Sequence, residues 1–253
     1  MQSLPLIVGH RGAADVAPEN TLKAFRRGLA DGAQMLECDV HLSADGQDVI
    51  LHDATLDRTA QEDSPLRTGA VADLTRAELD QVLVGEGEHI PTLTQVLEVA
   101  DAHRGEDGCR ATVLVEIKAP AAAELAAQIL TARYPDSGWA GDDLPARLIS
   151  FHVEALRLAQ RTAPEVPRQL IVRELTDQAL ADAVEVQVAS LAVRTSELQD
   201  GDPERIRAAG ITPLIWKVRT PEDLPLALEL GIEWIGSDDP ALTRRELAAL
   251  TER

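Results

Sequence analysis

A single-domain (β/α)8 barrel over residues 1–253 is the fold the sequence predicts, and three observations predict it. Short β-rich runs alternate with helical patterns from end to end. The β-rich runs are nearly continuous apolar stretches, as expected of strands covered on both faces of a parallel sheet. The length, 253 residues, is that of one such barrel. An apolar content of 45% and a charged content of 26% are those of a folded chain and exclude wholesale disorder. Aromatic residues make up only 2%, so Leu, Val, Ile and Ala must build the core.

The elements follow in order. LPLIVG, 4–9, opens as a strand. In PENTLKAFRRGLADGA, 18–33, Leu22, Phe25 and Leu29 share a helical face and Gly32 supplies the stop. The strands QMLECDV, 34–40, and DVILH, 48–52, flank Asp45-Gly46, a favoured two-residue hairpin turn. Pairing outward from it sets Ala44 against Gln47, Ser43 against Asp48 and Asp39 against His52. The second barrel strand would thus run through Glu37 and Asp39, continue as a ribbon above the rim and fold back, which accounts for nine strand candidates where a barrel needs eight. Residues from about 57 to 90, rich in Asp, Glu, Gly and Thr, read as a small inserted subdomain on the same rim, with too few apolar residues for a core of its own. A helix near Leu93–Ala102, the strand TVLVEIK and a helix near 122–133 come next. ARLISF, RQLIV, ASLAV, TPLIWKV and EWIGS complete the strands, separated mostly by helix-like segments such as 222–230.

A net charge of −19 and a pI near 4.6 argue against nucleic acid and anionic lipid, which are bound through Lys and Arg. A small diffusible substrate fits better. The opening residues lack the basic and long apolar regions of a signal peptide, and no run is apolar and long enough to span a bilayer. No amphipathic basic helix or aromatic cluster offers a membrane-binding surface. Two cysteines, Cys38 and Cys109, are too few for a disulfide framework, so a reducing, cytoplasmic setting is expected. Strand alternation turns Cys38 to the face opposite Glu37 and Asp39, as a packed thiol.

Glu37 and Asp39 point the same way from their strand, and two unpartnered carboxylates inside a barrel or beneath its helices would be costly. A hard cation resolves this. Oxygen-only ligands suit Mg2+ or Ca2+, and Glu116 offers a third carboxylate at the end of another strand. Lys118 shares the face of Glu116, so an internal salt bridge to the acids is the alternative. His10 and Arg11 end the first strand, with Gly9 and Gly12 permitting close backbone approach. His10, Glu37, Asp39, His52 and Glu116 would all gather at the C-terminal ends of early strands, where barrel enzymes build their sites. Two histidines beside a divalent cation can serve as general base and general acid near neutral pH. Arg11 and Lys118 add the local positive charge that an anionic substrate needs.

The segments GHRG, PENT, ECDV, HLSADGQDVILHDATLDRT, DLTRAEL, IPTL, VEIK, SF and LELGIEWIGSDDP occur in an order that resembles the glycerophosphodiester phosphodiesterase family over nearly the whole chain. The resemblance implies a TIM barrel with a small insertion after the His-Asp pair. It also implies a divalent cation (Mg2+, Ca2+ or Mn2+) on Glu37, Asp39 and Glu116, a catalytic pair His10 and His52, and substrate contacts from Arg11, Lys118 and Trp216. The implied reaction cleaves a glycerophosphodiester to glycerol 3-phosphate and an alcohol through a cyclic phosphate. A lysophospholipase D-like activity and a non-catalytic binding protein are the alternatives. The chain departs from the family late, reading Trp216-Lys217-Val218-Arg219 where members usually carry Trp-Thr-Val-Asn, Ser237-Asp238 where many carry Thr-Asp, and His152 where an acid is common. Alternation puts Lys217 and Arg219 on one face. They point either outward to helices and solvent or, for Arg219, into the mouth, where it would favour a more anionic substrate. The division of roles between the histidines, the head group and the oligomeric state stay open.

Overall fold

A computed structural model of the protein describes residues 4–105, 108–135, 139–140, 143–216 and 223–251. Eight parallel strands form a nearly closed TIM barrel: β1 (Leu6–Gly9), β2 (Met35–Leu42), β4 (Thr112–Ile117), β5 (Ala146–Ser150), β6 (Arg168–Val172), β7 (Ser190–Arg194), β8 (Thr212–Trp216) and β9 (Trp234–Ser237). Their order around the sheet is β8-β7-β6-β5-β4-β2-β1-β9, and the ninth strand, β3 (Asp48–Ile50), pairs only with β2. Helices α1 (Leu22–Ala30), α3 (Leu93–Ala102), α4 (Ala123–Arg133), α5 (Val153–Thr162), α6 (Asp177–Glu185), α7 (Asp202–Ala208), α8 (Leu224–Glu229) and α9 (Pro240–Thr251) alternate with the strands. Among the described residues no helix is long and apolar enough to cross a membrane. Lys217, Val218 and Arg219 lie outside the described residues.

Alternation along β2 and β4 decides what faces the barrel interior. Leu36, Cys38 and Val40 of β2, with Val113, Val115 and Ile117 of β4, pack outward in one buried cluster with Phe25 of α1, Leu93 and Leu97 of α3 and Leu130 of α4. Cys38 is therefore the packed thiol expected, and burial pushes its pKa up. The intervening residues, Glu37 and Asp39 on β2 and Glu116 on β4, are left to the inner face. The β2–β4 register sets Asp39 beside Glu116.

The ribbon differs from expectation by one residue. Val40 pairs with Ile50, His41 with Val49 and Leu42 with Asp48, so Asp39 lies opposite Leu51, whose N–H donates to the Asp39 carbonyl at 3.0 Å. The cause is the turn. Ser43 N–H donates to Gln47 O and Gly46 N–H to Ser43 O, which makes a three-residue loop with Gly46 at φ +73° in place of the two-residue turn. His52 is thus carried one position beyond the level of Asp39, where its carbonyl accepts from His41 Nε2 at 3.2 Å.

The inserted segment carries a 3-10 turn at Val71–Asp73 and one short α-helix, α2 (Arg76–Leu79), whose N-terminus is closed by a Thr75/Glu78 capping box. It buries a cluster that its composition did not promise: Leu56, Val71, Leu79, Val82, Val84 and Ile90. The ribbon makes this cluster sufficient by lending Val49 and Leu51.

The turn after β1 is packed through glycine. Gly12 has φ +91°, and a Cβ there would stand 2.4 Å from the Ala24 carbonyl carbon; a Cβ on Gly9 or Gly28 would stand 2.1 or 2.2 Å from the Gly12 carbonyl oxygen. No real Cβ tolerates such separations, so the backbone bearing His10 and Arg11 lies directly on α1. Gly12→Ala combines a left-handed conformation with a backbone clash, and should cost more than about 2 kcal/mol in chemical denaturation. Substitution at Gly46, where nothing lies within 4 Å, should cost only about 1–2 kcal/mol for the positive φ.

Candidate active site

At the C-terminal mouth of the barrel, a cavity of about 360 Å³ brings together His10, Arg11, Glu37, His52, Glu116, Lys118 and Trp216. Of the catalytic, metal-binding and substrate-binding candidates from the sequence, all of them among the described residues, Asp39 alone is off its wall. It lies beneath, 1% exposed, held by Asn20 Nδ2 at 2.8 Å and flanked by Arg11 Nε at 3.4 Å and Lys118 Nζ at 3.3 Å. Asn20, at φ +57°, had no role in the sequence reading beyond the PENT motif. Its placement follows from its own N–H donating to Arg11 O.

Glu37, Asp39 and Glu116 each offer an oxygen within 4.8 Å of the other two. Two oxygens on one Ca2+ stand up to about 5 Å apart, and on Mg2+ about 4 Å, so the spacing fits a hard divalent cation. The salt-bridge alternative is also present in part, because Lys118 Nζ donates to Glu116 Oε1 at 2.8 Å. It leaves charge unmatched. Arg11 N–H donates to Glu37 Oε2 at 2.8 Å, but buried Glu37 Oε1 has no hydrogen-bond partner, and neither has Asp39 Oδ1, which Lys118 approaches off hydrogen-bonding geometry. Arg11 and Lys118 flank the three carboxylates, and His10 Nε2 stands 4.0 Å from Glu37 Oε2. Burial, then repulsion from Asp39, pushes the Glu37 carboxyl up to about 8, and the same two causes raise Glu116. Burial opposes ionisation of Asp39 as well, but Lys118 and Arg11 outweigh it and lower its pKa. Orphaned, inward-facing oxygens of this kind are what a cation would satisfy.

The two imidazoles are held alike. Gly9 of β1 pairs with Ser237 of β9, which makes His10 and Asp238 neighbours, and His10 Nδ1 meets Asp238 Oδ1 at 2.5 Å. His52 Nδ1 meets Asp53 Oδ1 at 2.6 Å. A carboxylate on each Nδ1 makes it the protonated nitrogen and leaves Nε2 for chemistry. Burial works to lower the His10 pKa, but the Asp238 hydrogen bond and the Glu37 charge outweigh it and raise it. For His52, burial together with Lys118 and Arg11 prevails over Asp39 and Asp53, and the pKa is lowered.

The opposite wall is apolar: Ile149, Ile171, Ala192 and Leu214 lead up to Phe151 and Trp216. The Trp216 indole N–H donates to Val172 O at 2.6 Å, and its ring meets Phe151 edge-on at 5.1 Å. Asp238, Asp53, Glu19, Arg58 and Asn20 escaped the sequence reading as site residues. The signal for Asp53 was its adjacency to His52; Asp238 stands 228 residues from its partner, where no local pattern reaches.

The model of the glycerophosphoryl diester phosphodiesterase family matches residues 10–242. The chain belongs to that family. It is 31% identical over 262 residues, covering 95% of this chain and 91% of the relative, to a protein of Mycobacterium tuberculosis named as a probable glycerophosphodiester phosphodiesterase 1. A glycerophosphodiester phosphodiesterase of Caldanaerobacter subterraneus is 28% identical over 249 residues, with 93% and 94% covered. The solved structure of a phosphodiesterase of Oleispira antarctica with the product sn-glycerol 3-phosphate superposes at a TM-score of 0.83, with 26% identity and 97% of each chain covered.

The unmatched carboxylates make a stability prediction. A carboxyl whose pKa rises from 4.5 unfolded to about 8 folded binds its proton more tightly in the native state. Its contribution is therefore present below about pH 4.5 and lost as pH rises through 8. In the chelated protein, Tm should fall across this interval more steeply for wild type than for Glu37→Gln, which carries no charge to bury. Calorimetric titration should show weaker binding of a divalent cation by the variant. Unaltered binding with a lowered Tm would assign Glu37 to the salt bridge instead.

Proposed function

We propose that the protein hydrolyses glycerophosphodiesters to glycerol 3-phosphate and an alcohol, with a divalent cation held by Glu37, Asp39 and Glu116 and acid/base catalysis by His10 and His52. The observation that carries this reading is one cavity lined by two imidazoles, each held at Nδ1 by a carboxylate, beside three buried carboxylates with unmatched oxygens. A cation bound there would neutralise phosphate charge and acidify a hydroxyl in contact with it. Arg11 and Lys118 border the same cavity and supply positive charge for the phosphoryl oxygens. Trp216 and the apolar wall bound the side left for the alcohol.

The opposed pKa shifts divide the labour. His52, lowered, carries a free Nε2 at neutral pH and takes the proton of the attacking glycerol hydroxyl. His10, whose Nδ1 is held by Asp238, is assigned the acid's part, its Nε2 proton going to the departing alcohol oxygen as the phosphorus–oxygen bond breaks. The hydroxyl oxygen and phosphorus form a cyclic diester, and water opens it with the roles exchanged, His10 now taking a proton from the water and His52 returning one to the glycerol oxygen. A small soluble diester, a cytoplasmic setting and an insertion at about 57–90 within one catalytic domain complete the proposal.

One observation favours a second reading. The apolar wall and the Phe151–Trp216 pair supply the greasy surface that a lysophospholipase D-like activity needs. Parallel assays against glycerophosphocholine, glycerophosphoethanolamine and a lysolipid above and below its micellar concentration separate the two, the second reading requiring turnover of the lysolipid monomer.

Chelation with EDTA should abolish hydrolysis, and Mg2+, Mn2+ or Ca2+ should restore it; full activity after exhaustive chelation would sink the metal assignment. His10→Ala and His52→Ala should each lower kcat by about 10²- to 10⁴-fold. A nitrophenyl ester, whose leaving group needs no proton, should rescue His10→Ala alone. The pH profile of kcat/KM should be bell-shaped, the acid limb reporting protonation of His52 and the alkaline limb loss of the His10 proton. Rescue of His52→Ala instead would reverse the roles.

A further inference from the structure

The inserted segment reaches the site through one side chain. Arg58 lies on the turn just after the His52-Asp53 pair, and its guanidinium spans two carboxylates. Nε donates to Asp53 Oδ2 at 2.6 Å and Nη2 to Asp53 Oδ1 at 3.2 Å. Nη1 and Nη2 donate to the two oxygens of Glu19 at 2.8 and 2.6 Å. Each carboxylate also holds a second partner, through an oxygen that it shares with Arg58 Nη2. Asp53 Oδ1 holds His52 Nδ1 at 2.6 Å, and Glu19 Oε1 accepts from Arg11 Nη1 at 3.1 Å.

We propose that Arg58 is a positioning residue for this reaction, fixing His52 through Asp53 and Arg11 through Glu19, so that the insertion takes part in assembling the site. The inference rests on the phosphodiesterase reading above. Geometry supports it on three counts. A planar fork with five donors can engage two carboxylates at once, which an ammonium cannot do. The fork is held from below, because Leu56 is buried in the insertion's own cluster, its N–H donates to Gly69 O, and the N–H groups of Thr59 and Ala60 donate back to Leu56 O. Finally, Arg58 is half exposed, and exposed ion pairs add little to stability. A four-bond bridge that contributes little to stability but joins the partners of two cavity-lining groups acts on their orientation.

Arg58→Ala should lower kcat/KM about 10- to 100-fold, the range for small misplacements of reacting groups, with Tm nearly unchanged. The loss should divide: a lowered kcat through His52 and a raised KM through Arg11. Arg58→Lys should recover only part of it, and added methylguanidinium should restore Arg58→Ala because the position is open to solvent. A readout independent of turnover is the downfield Nδ1 proton resonance of His52, assigned by its absence in His52→Ala, which should move or broaden in Arg58→Ala. Wild-type kcat, KM and resonance in that variant would overturn the proposal, as would a loss that methylguanidinium does not relieve. Should Arg58→Ala fail to fold, Arg58→Lys and Glu19→Gln carry the same kinetic and spectral tests. A wild-type protein without phosphodiesterase activity defeats the functional reading instead, while the resonance still judges the clamp.

Discussion

Two buried carboxylates on one inward-facing strand edge, Glu37 and Asp39, are the constraint around which the mouth of this barrel is arranged. Removing an ionised carboxylate from water costs several kcal/mol, recovered only through charge and hydrogen bonds supplied by the surroundings. Arg11, Lys118 and Asn20 supply part of that to Asp39. Glu37 receives one backbone N–H. The remainder is a demand for positive charge of the kind that a bound cation would meet.

The scaffold delivers these groups by register. Because β2 and β4 are parallel neighbours, side chains at one level on each strand lie side by side, as Asp39 and Glu116 do, both within reach of Lys118. Because β1 closes against β9, the first and last strands of the chain join His10 to Asp238. The charged side chains of the mouth thus come from β1, β2, β4 and β9 with their adjoining loops, and most of its apolar wall from β5 to β8. That asymmetry suits a substrate with an anionic centre and a less polar arm.

Electrostatics then separates two chemically identical side chains. Both imidazoles carry a carboxylate on Nδ1, yet at His10 the Asp238 hydrogen bond and the Glu37 charge outweigh burial, while at His52 burial, aided by Lys118 and Arg11, outweighs Asp39 and Asp53. Their pKa values move apart, that of His10 upward and that of His52 downward. The links through Asp53, Arg58 and Glu19 tie His52 to Arg11, so that orientation and charge are carried by one connected set of groups.

Much of this was legible in the chain. Period-two alternation alone turned Glu37 and Asp39 to one face and Cys38 to the other, and strand ends alone assembled His10, His52, Glu116 and Lys118, because both rest on local geometry that repeats every two residues. The tertiary structure decided the rest, for reasons of distance and of single backbone angles. Gly46 in a left-handed conformation lengthened the hairpin loop by one residue and shifted the ribbon register. Two apolar residues borrowed from the ribbon made a core of a segment too polar to have one alone. Asp238 reached His10 across 228 residues, and Arg58 reached Glu19 across 39. Periodicity specifies which way a side chain points along its own strand; which charge it meets there is set by parts of the chain that only folding brings near.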